Sequence, residues 1–419
     1  MTIQITTLPN GLRVATDTMN EAESVVIGAW VGVGTRHEPW RANGVAHLVE
    51  HMMFKGTKKR SAYGLSTAIE KNGGMVNAHT TREETAYYAR VLPEDAERAT
   101  DIISDMLMHS VFEAKELERE KKVIIQEIGR DLDSPEDLIF DLMHRLAFPK
   151  QTIGRPILGS AEVIAKMARD TAVDYVRQHY HAGNMVVVAA GKIEHNTFVK
   201  LAKAYFGKLP KGRTVKQEKA HSVSGGKLQN KDIEQLHLIL GFAAPGFHSA
   251  ATYPARLLSV LLGGNSSSRL FQKVREKRGL VYTISSGLMC FSDAGLLQIY
   301  AGTDPKRAKE LVTVIGQELR DVTHNVTPSE LQRAKAQGRA DLLMGQENVM
   351  QRADTLGHQL LAYGRPIPTA QILHKLLAVT EDEIKAMATK LFGRKPVVTA
   401  LGPIENLGDY ATISRELRG

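Results

Sequence analysis

Residues 24–54 read SVVIGAWVGVGTRHEPWRANGVAHLVEHMMF. The opening stretch, SVVIGAWVGVG at 24–34, is a run of β-branched and small apolar side chains with a glycine-punctuated end, and it predicts a buried strand. The closing stretch, GVAHLVEHMMF at 44–54, places apolar side chains at helical spacing and predicts a helix. Working outward, residues 61–72 predict a second helix that Gly73-Gly74 ends. MVNAHTT at 75–81 and ETAYYARVL at 84–92 then predict two strands. A long helix is expected from about Ala114 to Leu132, with Val123, Ile124, Ile125 and Ile128 on its apolar face. Further helices are expected over 136–147, 160–168 and 171–180, and NMVVVAAG at 184–191 predicts another buried strand.

The order of these elements returns later in the chain. LHLILGF at 236–242 echoes VVIGAW, and YPARLLSVLLGG at 253–264 echoes GVAHLVEHMMFKG. FQKVREKRGLVYTISSG at 271–287 echoes STAIEKNGGMVNAHTT at 66–81, and TALGPI at 399–404 echoes VAAGKI at 188–193. The two copies are separated by LPKGRTVKQEKAHSVSGGKLQNKD at 209–232, which is polar and almost without apolar periodicity, as a linker would be. The expected organisation is therefore two related α/β domains of similar size, 1–212 and 233–419, joined by a linker at 213–232. The second has lost the histidines of the first.

Composition narrows the function classes. A chain of 419 residues with 43% apolar residues can bury sizeable cores. A single cysteine, Cys290, excludes an intrachain disulfide and a thiolate zinc cluster, and fits a reducing compartment. The formal charge of +8 is spread along the chain without a nucleic-acid-binding motif, so neither nucleic acid nor a membrane is expected as a partner. The N-terminal MTIQITTLPNGLRVATD resembles neither a secretory signal nor an organelle transit segment, and a cytoplasmic protein is expected.

The chemistry concentrates in H-L-V-E-H at 47–51. On a helix, positions i and i+4 share a face, so His47 and His51 can aim ring nitrogens at one metal ion. Glu50 falls beside that face, where a carboxylate can take a proton from water acidified by the metal without ligating the ion. This is the inverse of the H-E-x-x-H arrangement. A third ligand is needed, and ELEREKKVIIQEIGRD supplies Glu120 and Glu127, seven residues apart and so on one helical face, opposite the apolar stripe. The competing reading of these glutamates is an ordinary solvated charged face.

On these segments the chain resembles the pitrilysin-type zinc peptidases, in particular the branch of the catalytic subunit of mitochondrial processing peptidase and its bacterial relatives. The matching positions include NGLRV at 10–14, GVAHLVEHMMFKGT at 44–57, GGMVNAHTTREETAYY at 73–88, QHYHAGNMVVVAAG at 178–191 and SSRLFQKVREKRGLVY at 267–282. The resemblance implies an α+β fold of two similar domains, each a mainly antiparallel sheet with helices packed on it, together forming half of a clamshell. It implies zinc as cofactor, held by His47, His51 and Glu127, with Glu50 as base and Glu120 orienting a ligand or helping the base. It implies that Asn77 and Ala78 lie on an edge strand that takes an extended peptide as an added strand. Arg275 and Tyr282 match the pair that grips the substrate and stabilises the oxyanion, and the half-assembly implies a homodimer sharing its active site between chains.

The resemblance leaves alternatives open. Members of the family in respiratory complexes are noncatalytic scaffolds, which typically lose the zinc residues that this chain retains. Glu83, Glu84, Glu136 and Asp137 could read basic residues near the scissile bond of a processing substrate, or could simply complement helix dipoles. The segment 263–268, GGNSSS, reads as an ordinary turn before a helix.

Overall fold

The stretch 25–31 forms β3 (Val25–Val31), in which every residue is buried. In the computed structural model of the chain, residues 2–212 and 217–418 are described, and they form two compact units. The first comprises the residues up to Arg130, Arg155–Glu218 and Leu343–Ile367; the second comprises Asp131–Gly154, Lys219–Leu342 and the residues from Pro368 onward.

In the first unit β3 lies inside a six-stranded sheet with β1 (Thr2–Thr7), β2 (Arg13–Thr18), β4 (Met75–Thr80), β5 (Thr85–Val91) and β6 (Met185–Gly191), in the order β1-β2-β6-β3-β5-β4. All neighbours are antiparallel except β2 and β6. The helices of this unit are α1 (Val45–Met53), α2 (Ala62–Glu70), α3 (Ala96–His109), α4 (Ala114–Asp133, whose last residues count with the second unit), α6 (Ala161–Ala165), α7 (Arg169–His179), α8 (His195–Phe206) and α12 (Val349–Tyr363). β3 and β6 read as unbroken apolar runs because both faces of the sheet are covered. Ile102, Ile103, Met106, Leu48 and Phe198 pack on one face; Val349, Ala353, Leu356 and Leu360 of α12 pack on the other, against Val26, Trp30, Val186 and Val188.

The second unit contains α5 (Pro135–Ala147), α9 (Thr252–Gly263), α10 (Ala308–Asp321), α11 (Pro328–Gly345, whose last residues count with the first unit), α13 (Thr369–Ala378), α14 (Glu381–Phe392) and α15 (Tyr410–Arg418). Its sheet runs β7 (Gly225–Gln229), β11 (Val397–Leu401), β8 (Leu236–Ala244), β10 (Gly295–Thr303), β9 (Val281–Cys290). Only β7 and β11 are parallel. This order repeats β2-β6-β3-β5-β4 strand for strand, so the echo read in the sequence is a repeat of topology. The fold is the expected one: two similar units, each a mainly antiparallel sheet with helices on it.

The boundaries differ from contiguous halves. α5 follows α4 in sequence, yet Ile139, Met143 and Ala147 bury against Ile239, Leu296, Val397 and Leu401 of the second sheet. α12 lies late in the chain, yet it belongs to the first unit. It is tied there by Trp30 Nε1 donating to Asp354 Oδ1 (3.0 Å), by a buried pair of Arg352 with Asp17, and by His358 with Glu84 (3.0 Å). An apolar helix face is satisfied by any apolar sheet its connections let it reach, so packing does not follow sequence order. Of the expected linker, 213–216 lie outside the described residues. The remainder is not free chain: Ala220 N donates to Asp293 Oδ2 (2.9 Å), and residues 225–229 are β7. As an edge strand of mostly exposed residues, β7 carries no apolar alternation to reveal it. Among the described residues no helix is long and apolar enough to cross a membrane.

Candidate metal centre

α1 carries the H-L-V-E-H stretch. Val45, Leu48, Val49, Met52 and Met53 bury one side of it, leaving His47, Glu50 and His51 half-buried on the other. Its start is fixed from a distance. Gly44, at φ 94°, has no side chain to cap the helix. Glu38 does so instead, with Oε2 accepting from Gly44 N and Oε1 from Ala46 N, each at 2.9 Å, and Asn43 Nδ2 donating to Oε2 at 2.8 Å. A carboxylate on the exposed N–H groups satisfies donors that no helix can satisfy internally.

Glu127 of α4 reaches both imidazoles: its Oε2 lies 3.9 Å from His47 Nε2 and 3.6 Å from His51 Nε2. The two rings stand 4.6 Å apart between centroids, and one donor atom from each of the three residues falls within 4.8 Å of the others. These separations are too long for hydrogen bonds. They approach the roughly 3.3 Å expected between donors about 2 Å from a common tetrahedral ion. His47 Nδ1 is buried with no hydrogen-bond partner among the described residues. Burial, and then the neighbouring His51, bring His47 down to about 4, so its ring is neutral at pH 7 and free to donate a lone pair. Two imidazoles and a carboxylate make a donor set that fits zinc with a position left open.

Glu120 does not lie opposite the apolar stripe of α4, as expected; it lies within the stripe. Leu117, Glu120, Lys121, Ile124 and Ile128 are the buried residues of that helix, whereas Val123 is 39% exposed. A carboxylate can occupy this position because both oxygens are paired: Oε2 with His51 Nδ1 at 3.0 Å and Oε1 with Lys55 Nζ at 2.8 Å. Burial alone would push Glu120 up; the hydrogen bonds from His51 and Lys55 outweigh it and hold the carboxyl below the usual range. Glu50 shows the opposite balance. Burial pushes its carboxyl above the usual range, although Thr80 Oγ1 donates to its Oε2. Neither Thr80 nor Lys55 was singled out in the sequence. Thr80 alternates with Ala78 and Val76 on β4, and Lys55 continues the four-residue spacing of His47 and His51; both spacings were signals.

Asn77 and Ala78 lie on β4, an edge strand of the first sheet, where Asn77 Oδ1 accepts from Ala78 N at 2.8 Å. Arg275 and Tyr282 belong to the second unit. Arg275 sits on a π-helical turn, Phe271–Glu276, with its guanidinium over the Phe271 ring at 4.8 Å. Tyr282 is the second residue of β9, another edge strand, and is 79% exposed. The acids considered for specificity have partners within the chain: Glu83 with Arg36 at 2.6 Å, Glu84 with His358 at 3.0 Å, and Glu136 as acceptor from Tyr300 at 3.4 Å. Asp137 lies in the first turn of α5.

Residues 13–161 match the family described as insulinase (peptidase family M16), and residues 166–337 match its partner, described as the peptidase M16 inactive domain. The chain belongs to peptidase family M16. Among M16 relatives, a Rickettsia felis protein described as an uncharacterized zinc protease is 36% identical over 95% of this chain and 97% of its own length. The Bacillus subtilis protein YmxG, also described as an uncharacterized zinc protease, is 34% identical over 96% and 98%. Two solved structures share the fold with TM-scores of 0.89 at 20% identity: a protease from Helicobacter pylori, over 96% of this chain and 99% of that one, and a chain of Complex III2 from Candida albicans, over 99% and 100%.

Proposed function

We propose that this M16 chain is a zinc-dependent endopeptidase that hydrolyses unfolded or short peptides, with a processing role as the narrower form of that reading. The observation that carries it is the convergence of Glu127 Oε2 on Nε2 of both His47 and His51. When bound, zinc supplies Lewis acidity, polarising the scissile carbonyl and acidifying water. The rest is work for the chain's own side chains. Glu50 accepts the proton of the attacking water and returns it to the leaving amine, a role suited to a carboxyl whose burial raises its proton affinity. Thr80 holds one oxygen of Glu50, so the other is left to face the water. Glu120 orients His51 through Nδ1.

An extended peptide would add to β4 along Asn77 and Ala78, with the Asn77 amide turning away from Ala78 N as the peptide carbonyl replaces it. Arg275 and Tyr282 would grip the substrate backbone and the developing oxyanion. In this reading they serve the centre of a second identical chain, and their exposure leaves them available to it. The scaffold reading is the weaker one, because a scaffold has no use for two imidazoles and a carboxylate converging beside a base held by its own hydroxyl donor.

Metal analysis of the purified protein, with cleavage of a quenched peptide mixture before and after chelation, tests the activity. Mixing Glu50→Gln with Tyr282→Phe tests the sharing: a hybrid that regains turnover supports it, and none at any ratio refutes it.

A further inference from the structure

Lys55 lies two residues beyond Met53, the last residue of α1, its N–H donating to Met52 O at 3.1 Å. Its ammonium contacts Glu120, the residue behind one of the three donors. Lys55 Nζ lies 2.8 Å from Glu120 Oε1, and Glu120 Oε2 lies 3.0 Å from His51 Nδ1. The two carboxylate oxygens thus have separate duties, and the side chain that joins them is only 7% exposed.

The division of duties has a consequence for the imidazole. A neutral ring carries its proton on one nitrogen only. In the neutral ring, Oε2 as an acceptor favours the tautomer with the proton on Nδ1, in which Nε2, the nitrogen 3.6 Å from Glu127, keeps a bare lone pair. If the carboxylate rotates, Nδ1 loses its acceptor and the ring can place its proton on Nε2, where it blocks donation to a metal. Rotation is what Lys55 prevents, because it anchors the oxygen that points away from the ring. Of the other buried residues of α4, Leu117, Ile124 and Ile128 have no side-chain donor, and Lys121 spends its ammonium on Glu118 Oε1 and Ala165 O.

We infer that Lys55 is a positioning residue that acts through Glu120 to hold His51 in the tautomer with a bare Nε2. The inference rests on the zinc reading for its importance, but the tautomer is a property of the metal-free protein. Two variants separate the geometry from mere bulk. Lys55→Met keeps most of the aliphatic stem and removes the donor; Lys55→Arg keeps a cationic donor.

Long-range proton–nitrogen correlation spectra of the metal-free protein should show His51 protonated on Nδ1 in the wild type and in Lys55→Arg, and a mixture of tautomers in Lys55→Met. Zinc dissociation constants from competition with a chelator should rise about tenfold in Lys55→Met and recover in Lys55→Arg, the lower end of what loss of an outer partner costs a metal site. A wild type that binds zinc, with Lys55→Met unchanged in tautomer and affinity, overturns the inference and leaves the peptidase reading standing. A wild type that takes up no zinc overturns the peptidase reading, and the spectra then decide on Lys55 by themselves.

Discussion

Thr80 Oγ1 donates to Glu50 Oε2 at 2.5 Å, so the hydroxyl of an edge strand holds the carboxylate of the ligand-bearing helix. This bond joins β4, where a peptide would add, to the group that would move the proton. Thr80→Val keeps the shape of the side chain and deletes the donor, and it should lower kcat about tenfold, the worth of one hydrogen bond to a charged group. KM and zinc content should hold, and Thr80→Ser should recover most of the rate. Steady-state kinetics with metal analysis check it; a Thr80→Val enzyme as fast as wild type would show that Glu50 needs no such support.

Glu50→Gln should keep zinc and lose turnover. Glu50 is not among the three residues whose donor atoms cluster, and glutamine preserves size while removing the base. A loss of at least 100-fold in kcat is expected for a general base. Zinc lost together with activity would mean that Glu50 is a ligand.

His51→Ala should lose metal without unfolding the protein. The ring lies between Glu120 and Glu127, and its removal takes away one of three donors and leaves the carboxylates facing a gap. The first unit has its own apolar core, from Leu8 to Leu209, and so does not depend on an ion to fold. Circular dichroism should be unchanged while bound zinc falls; metal content equal to wild type would refute the ligand assignment.

Gly44→Ala should cost at least about 2 kcal/mol, from a left-handed backbone and a crowded site together. An added Cβ would stand 2.7 Å from both Leu158 O and Ile164 Cδ1, at φ 94°. Gly129→Ala on α4 is the control, since nothing lies within 4 Å of its Cβ position; it should be neutral or stabilising by about 0.5–1 kcal/mol. Urea midpoints of the two variants check the contrast, and equal midpoints would remove Gly44 from the account of how α1 is placed.

Much of this could be read from the sequence because it is local. The i, i+4 histidines, the strand that precedes them and the repeat of element order are properties of short windows, and the structure keeps them as α1, β3 and the second sheet. What escaped depends on contacts between distant segments. Periodicity puts Glu120 opposite the apolar stripe of α4, whereas the structure buries it within the stripe because its partners, His51 on α1 and Lys55 just beyond it, come from a distant segment. α5 and α12 carry ordinary amphipathic patterns, and a pattern says that a face will be buried without saying by which sheet. β7 has no pattern at all; it is a strand because β11 offers it a ladder. Glu38 precedes the helix it caps by several residues, beyond the reach of any capping signature.

That cap makes stability depend on pH in a direction opposite to the usual carboxylate. Glu38 is fully buried, and burial pushes its carboxyl up to about 7 against the pull of Asn43, of the Ala46 and Gly44 N–H groups and of nearby Arg155. In the unfolded chain it titrates near 4.5. Between these values the folded protein holds a proton that the unfolded chain has released, so stability from this group is complete below pH 4.5 and is lost as pH rises through 7. The full change corresponds to at most about 3 kcal/mol. His37, brought down to about 4 chiefly by burial, works the other way, since its stability contribution grows as pH rises toward 6.5, and a single pH curve would mix the two. The difference between wild type and Glu38→Gln isolates the cap. Measured by urea unfolding of metal-free protein from pH 4.5 to 8, wild type should lose stability relative to the variant across the window. Parallel curves would mean that Glu38 stays ionised throughout and that the N–H groups of α1 outweigh its burial.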